Sequence, residues 1–279
     1  MARQDDSTRR KPEVSELLTL HVLRTQRLST GFVRVTLGGG DIARFRPMGF
    51  DQWFRLFIPV ADEADLARLP QRLDTLAYLR YLTIARTRRP VLRNYTVRAH
   101  RPDGPQGPEL DVDFVVHGSV ADGTSGPAAT WSQTCAPGDA VAVLDEGTTF
   151  PAAAHDDVLL VADETGLPAV AGVLASLPPH TRGIAVVEVA HADDRQELAG
   201  PPGVDVRWVV RDDPHAVAGP AALAVVEALP ASTGPVTAWV VGEQSLVAGA
   251  RRHWVAGGVP KRDIAFCGYW KAARTRAAA

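Results

Sequence analysis

The sequence predicts two halves of different architecture. An antiparallel β half, barrel or sandwich, spans residues 14–150, and a doubly wound, mostly parallel α/β half spans 151–279. Three observations predict this. Short β-rich segments separated by Gly, Pro and Asp fill the first half. Continuous apolar runs alternate with helix-patterned segments in the second. The change of grammar falls at about residue 151.

In the first half the predicted strands are ELLTLHVL (16–23), FVRVTL (32–37), WFRLFI (53–58), RNYTVRA (93–99), DVDFVVHG (111–118) and DAVAVL (139–144), with GGGD and PGD as turn signals. The mixed-charge stretch 61–90 interrupts them and reads as a partly helical excursion. In the second half DVLLVA (157–162) leads into the helical TGLPAVAGVLASL. IAVVEVA (184–190) and VDVRWVV (204–210) precede the helix HAVAGPAALAVVEAL. VTAWVVG (236–242), the helix EQSLVAGARRHWVAG and DIAFCG (263–268) complete the series. Ligands of such sheets sit beyond the carboxyl ends of the strands. The residues there are Asp163–Thr165, His191–Arg195, Arg211–Asp213 and Gly242–Gln244.

Composition narrows the function. The chain has 279 residues, 46% of them hydrophobic, enough for two cored domains. A net charge of −2 gives no electrostatic case for nucleic acid. Cys135 and Cys267 stand far apart, show no metal-ligand spacing and read as buried free thiols. The polar start MARQDDSTRRKPE has no apolar signal core, and no apolar run approaches a membrane span. The expectation is a soluble, cytoplasmic monomer without a metal. GxGxxG after a strand, a P-loop, GxSxG and HExxH are all missing, so neither a self-sufficient dinucleotide fingerprint nor a hydrolase is supported.

The strand RNYTVR carries an arginine on each face, Arg93 with Tyr95 on one and Arg98 with Thr96 on the other. Downstream, Gly126 precedes Pro127, a favoured first helical residue, leaving the N–H groups of Ala128 and Ala129 as an anion site. Arginine forks suit phosphate, and a tyrosine suits a flat ring. Together they fit a flavin dinucleotide. Each residue also has a plainer reading. Asp111 and Asp113 alternate on one strand face as solvated carboxylates would, His117 fits a core histidine, Trp131 core packing, and Asp163, Glu164 and Thr165 a helix cap.

The ordered set RPVLRNYTVR, LDVDFVVHG, GPAATW, VADETGLPA, VVGEQSLVAGARRHW and CGYWK resembles the siderophore-interacting, FAD-binding family, NAD(P)H-dependent ferric-siderophore reductases related to ferredoxin reductase. The resemblance runs from about residue 16 to 271. It implies an N-terminal antiparallel FAD-binding β-barrel followed by a C-terminal Rossmann-like NAD(P)-binding domain. It implies that Arg93, Tyr95, Thr96 and Arg98 hold the isoalloxazine and diphosphate. Asp111, Asp113, His117 and Gly118 would build the FAD wall, and Gly126, Pro127 and Ala128 the anion-binding helix start that Trp131 follows. Asp163, Glu164 and Thr165 would meet the nicotinamide at the flavin edge, with Thr165 the catalytic candidate and Gly242 and Glu243 beside them. Tyr269 and Trp270 would flank the flavin, and Arg55 and Lys271 would attract the ferric siderophore. Ala248 stands where many members have arginine.

The implied activity is reduction of Fe(III) to Fe(II) in a siderophore. A general NAD(P)H-dependent flavin or quinone reductase, and an FAD-containing siderophore-binding protein reduced by a partner, are the alternatives. NADH and NADPH both fit, since HADD is acidic while Arg195 and Arg211 suit a 2′-phosphate.

Overall fold

The computed structural model describes residues 9–60, 66, 69–70, 75–85, 87–118, 120–151, 155–230 and 234–273. The chain divides into two compact units, one over Arg10–Thr148 and one whose continuous part begins at Thr149.

The first unit holds β1 (Leu17–Arg27), β2 (Phe32–Gly38), β3 (Trp53–Ile58), the helix α1 (Thr75–Thr83), β4 (Val91–Thr96), β5 (Ala99–Gly104), β6 (Gly107–Val115), the helix α2 (Pro127–Thr134) and β7 (Ala140–Gly147). The strands form one antiparallel half-barrel sheet in the order β4-β3-β7-β1-β2-β6-β5. Alternation decides the core. Leu18, Leu20 and Val22 of β1, Val33, Val35 and Leu37 of β2, and Leu110, Val112 and Phe114 of β6 turn inward as one cluster.

RNYTVRA, which reads as one strand, is two in the structure. β4 pairs with β3 and β5 pairs with β6. The changeover takes two residues: the Val97 N–H donates to Gln52 O (2.8 Å) and the Arg98 N–H to Asp111 O (2.9 Å). Consecutive residues therefore serve opposite edges of the sheet, which is what curls it. The strand β5 is absent from the sequence reading because AHRPDG carries turn residues. An edge strand tolerates the proline, whose missing N–H costs no ladder bond there.

The second unit contains β8 (Asp157–Ala162), α3 (Leu167–Ser176), β9 (Arg182–Val189), β10 (Gly203–Val210), α4 (Pro220–Ala228), β11 (Thr237–Glu243), α5 (Gln244–Ala256) and β12 (Ile264–Trp270). All pairings are parallel, in the order β10-β9-β8-β11-β12. One core cluster joins Ala222 and Val226 of α4 and Leu246, Ala250 and Trp254 of α5 to Val161, Val186 and Val240 of the sheet. The strand order reverses between β8 and β11. A crevice opens at such a switch point beyond the carboxyl ends of the strands, here just past Ala162 and at Glu243.

Candidate functional site

In the first unit the chemistry gathers around β6. Its outward residues Glu109, Asp111 and Asp113 are carboxylates, yet all three are buried. Register explains how. Arg34 stands directly opposite Asp113 and Thr36 opposite Asp111 on β2, while Arg101 stands opposite Glu109 on β5. Arg34 grips Asp113 at 2.6 and 2.9 Å. Arg101 takes both oxygens of Asp111 at 2.7 Å and reaches Glu109 at 2.6 Å. Arg24 closes the row with two bonds to Glu109 at 2.6 and 2.9 Å, and Thr36 Oγ1 donates to Asp111 at 2.7 Å. Asp111 and Asp113 are thus buried members of an ion-pair ladder and not solvated carboxylates. Hydrogen bonds from Arg24 and Arg101 hold Glu109 down at about 2.

Arg98 differs from the other three arginines. Its Nε lies 3.4 Å from Asp113. Carboxylate partners raise the pKa of Arg24, Arg34 and Arg101. Burial lowers that of Arg98, and Asp113 only partly offsets it. Burial is what sets Arg98 apart from the other three, and an added anion would favour its charged form.

Tyr95, preceding it by three, packs on Phe114 with ring centroids 4.3 Å apart, and Phe114 meets Trp131 at 5.6 Å. Burial pushes the Tyr95 phenol well above its ordinary range, so it stays neutral. Thr96 is buried beside it, and Arg93 is exposed, with Nη1 donating to Leu92 O at 2.8 Å. Trp131 is half-buried against the core, so its plain packing reading is met as well.

The start of α2 is open. Gly126 is the N-cap with no side-chain cap, and Pro127 occupies the first turn. Ala128 is buried in the core cluster, and α2 packs on β2, β4 and β6. The Ser125 hydroxyl just before the helix is buried and, among the described residues, has no hydrogen-bond partner. An orphaned buried hydroxyl beside uncapped N–H groups is what a phosphate would satisfy. His117 is exposed and not in the core, and its ring lies 3.8 Å from where a side chain on Gly126 would begin. Gly118 has φ +71°, and a Cβ there would meet Thr124 O at 2.6 Å, so only glycine lets the loop fold back. The donor set fits a flavin dinucleotide: an aromatic face, a desolvated arginine and an uncapped helix start. Arg55 is not a free rim charge; it pairs with Glu146 at 2.8 Å. Cys135 and Cys267 are free thiols, but both are only half-buried, and burial pushes the Cys135 thiol up to about 11.

In the second unit Asp163 is the knot of the switch point. Of Asp163, Glu164 and Thr165, the cap is Asp163. Its Oδ1 accepts from the Thr165 N–H at 2.8 Å and from the Thr165 hydroxyl, and its Oδ2 from the Glu243 N–H at 2.6 Å and the Trp270 indole at 3.0 Å. One carboxylate therefore ties the ends of β8, β11 and β12. Gly242, at φ +126°, is required because a Cβ would lie 2.6 Å from that carboxylate. Burial, with Glu164 adjacent, pushes Asp163 up to about 6 despite its donors. Glu243 caps α5 through Ser245 and accepts from the Ala272 N–H at 3.1 Å. Tyr269 is partly exposed, and Lys271 is exposed.

Glu164 is gripped by Arg211 at 2.6 and 2.8 Å, and Arg211 also bonds Glu188 at 3.1 Å. Glu188 in turn accepts from the Gly219 and Ala222 N–H groups at the start of α4. The charged residue inside the apolar run IAVVEVA was the sequence signal for this bridge. Arg211 is thus committed to carboxylates, while Arg195 is exposed.

Residues 21–149 match the family model of the siderophore-interacting FAD-binding domain, and residues 155–273 match that of the siderophore-interacting protein. The chain belongs to the siderophore-interacting FAD-binding family. A siderophore utilization protein from T. fusca superposes with a TM-score of 0.74 at 30% identity, covering 97% of this chain and 98% of that one. Two named reductases of curated function are similar. The ferric vibriobactin reductase ViuB of Vibrio cholerae is 29% identical over 84% of this chain and 81% of its own length. The NADPH-dependent ferric-chelate reductase of Escherichia coli is 28% identical over 91% and 92%. The two family matches meet the chain on either side of residue 150, where its strand grammar changes.

Proposed function

We propose that the protein is an FAD-dependent ferric-siderophore reductase that draws electrons from NAD(P)H, converts Fe(III) to Fe(II) and thereby frees iron from the siderophore. The observation that carries the reading is the pairing, in one unit, of a desolvated Arg98 with an uncapped helix start whose Ser125 hydroxyl is orphaned. Reductases of ferric chelates among the relatives supply the substrate class.

FAD, when bound, takes two electrons from a reduced nicotinamide and yields them singly to two ferric ions. The chain positions and shields. Tyr95, braced by Phe114 and Trp131, offers a rigid face to the ring, and Thr96 a hydrogen-bonding edge. Arg98 and the N–H groups of Ala128 and Ala129 carry the diphosphate, with Gly126 and Pro127 shaping that turn. Arg93, His117 and Gly118 line the dinucleotide, while Asp113 orients Arg98 and Asp111 holds the ladder behind it. Asp163, through Thr165, Gly242, Glu243 and Trp270, fixes the nucleotide end of the α/β sheet, with Glu164 locked by Arg211. Tyr269 and Trp270 serve the flavin, and Arg55 and Lys271 serve the ferric complex. No side chain need act as acid or base on the iron complex. Ferrous iron binds hard oxygen donors more weakly, so it leaves.

Neutralisation of Arg55 by Glu146 favours, as a second reading, a general NAD(P)H-dependent flavin or quinone reductase. A ferric-siderophore titration separates the two.

The test is the chromophore. The purified protein should be yellow and release FAD, not FMN, on denaturation. Arg98→Ala should weaken FAD binding by at least tenfold, since one charge-assisted hydrogen bond contributes roughly 1.5–3 kcal/mol. A colourless protein that refuses added FAD would sink the reading.

A further inference from the structure

Helix α1 and the turn after it carry a surface that the reductase chemistry leaves unused. Tyr78, Leu79 and Leu82 are 43%, 53% and 43% exposed. Their directions fall within about 100° of one another around the helix, so they form one face. Anchoring holds that face outward. Tyr81, on its flank, is buried edge-on against Phe57 at 5.9 Å and donates its hydroxyl to Pro90 O at 2.7 Å.

A basic border is attached to it. Arg89 lies 5.7 Å from the Tyr81 ring centroid and donates to Leu82 O at 3.2 Å. Arg88, next to it, is exposed. From Thr75 to Tyr95 the sequence contains Arg80, Arg86, Arg88, Arg89 and Arg93 and no Asp or Glu, in a chain of net charge −2.

We propose that this surface docks the protein reversibly on an anionic lipid bilayer. Tyr78, Leu79 and Leu82 enter the boundary between headgroups and acyl chains, and Arg88 and Arg89 lie over the phosphates. Aromatic and leucine side chains beside arginine are the composition that partitions into that boundary. A bilayer is the occupant because it requires no shape complementarity. Three half-exposed side chains offer a few hundred Å² at most, well short of the roughly 1,000 Å² that a stable protein interface buries. Among the described residues no helix is long and apolar enough to cross a membrane, so the attachment is peripheral.

The experiment is co-sedimentation of the full-length, flavin-loaded protein with vesicles of phosphatidylcholine alone or mixed with phosphatidylglycerol. Binding should be at least about tenfold stronger on the anionic vesicles and should fall away at about 0.5 M salt. Leu79→Glu with Leu82→Glu should abolish it, and Arg88→Glu should weaken it by roughly tenfold, both retaining flavin and solution activity. If the double variant melts early, Arg88→Glu alone carries the test. Failure of the wild type to sediment with anionic vesicles at low salt, equal binding to both vesicle types, or variants that bind like wild type would overturn the proposal. So would a solution dimer that the same substitutions dissolve.

Discussion

At the scale of single residues, Thr165 and Asp163 show how a polar group is committed. The Thr165 hydroxyl and N–H both donate to Asp163, so the threonine cannot rotate freely toward a ligand. Thr165→Leu removes one donor and adds bulk at the switch point. It should slow nucleotide-driven reduction of the flavin at least tenfold while the flavin stays bound. Rapid mixing with NADH and NADPH reads the rate, and absorbance of the filtered protein reads the flavin. An unchanged rate would move the nicotinamide elsewhere. The substrate side divides in the same way. Glu146 already offsets Arg55, whereas Lys271 is exposed, so Lys271→Ala should raise the KM for an anionic ferric siderophore more than Arg55→Ala does. Oxidation of NAD(P)H with a neutral acceptor should stay near normal in both, and equal losses in the two assays would assign these residues to the flavin or the fold.

At the scale of elements, the β6 ladder makes stability depend on pH. Glu109 sits at about 2 in the folded chain against an ordinary 4.5. Its contribution is full above about 4.5 and is lost as pH falls toward about 2. Asp163, raised to about 6, works with the opposite sign: the unfolded chain gives up that proton first, so its contribution is lost as pH rises from about 4 to about 6. Melting temperature against pH should show the acid limb in the wild type and a flatter one in Glu109→Gln, which will also be less stable overall because Arg24 loses its carboxylate and Arg101 one of its two. Asp113→Ala removes the closest carboxylate from Arg34 and a carboxylate neighbour from Arg98 and should cost about 3 kcal/mol in urea denaturation, the scale of a broken buried ion pair. A loss below 1 kcal/mol would mean that water replaces the carboxylate.

How much of this the sequence discloses differs by element. The parallel strands are legible because DVLLVA and VTAWVVG are continuous apolar runs bounded by turns. The ladder was half legible: R-x-T on β2 and E-x-D-x-D on β6 alternate on one face, but only register shows that they oppose each other. The break in RNYTVRA was invisible, because nothing local tells Val97 and Arg98 to leave β3 for β6. The knot at Asp163 was hidden for a related reason, since its donors come from residues 165, 243 and 270 and meet only when the sheet is assembled.

At the scale of the whole molecule, the proposed activity asks each unit to bring one half of a redox chain. The half-barrel offers an aromatic face and an anion site, and the parallel sheet offers a switch point braced by one carboxylate. The proposed activity therefore requires electrons to pass through both. The most direct measurement is anaerobic mixing of the flavin-loaded protein with NADH or NADPH, followed by a ferric siderophore in the presence of a ferrous-specific chelator. The account predicts bleaching of the flavin by the nucleotide, return of its colour on adding the siderophore, and two chelated ferrous ions for each nucleotide consumed. Flavin that neither nucleotide bleaches, or bleached flavin that the ferric siderophore leaves reduced, would contradict it.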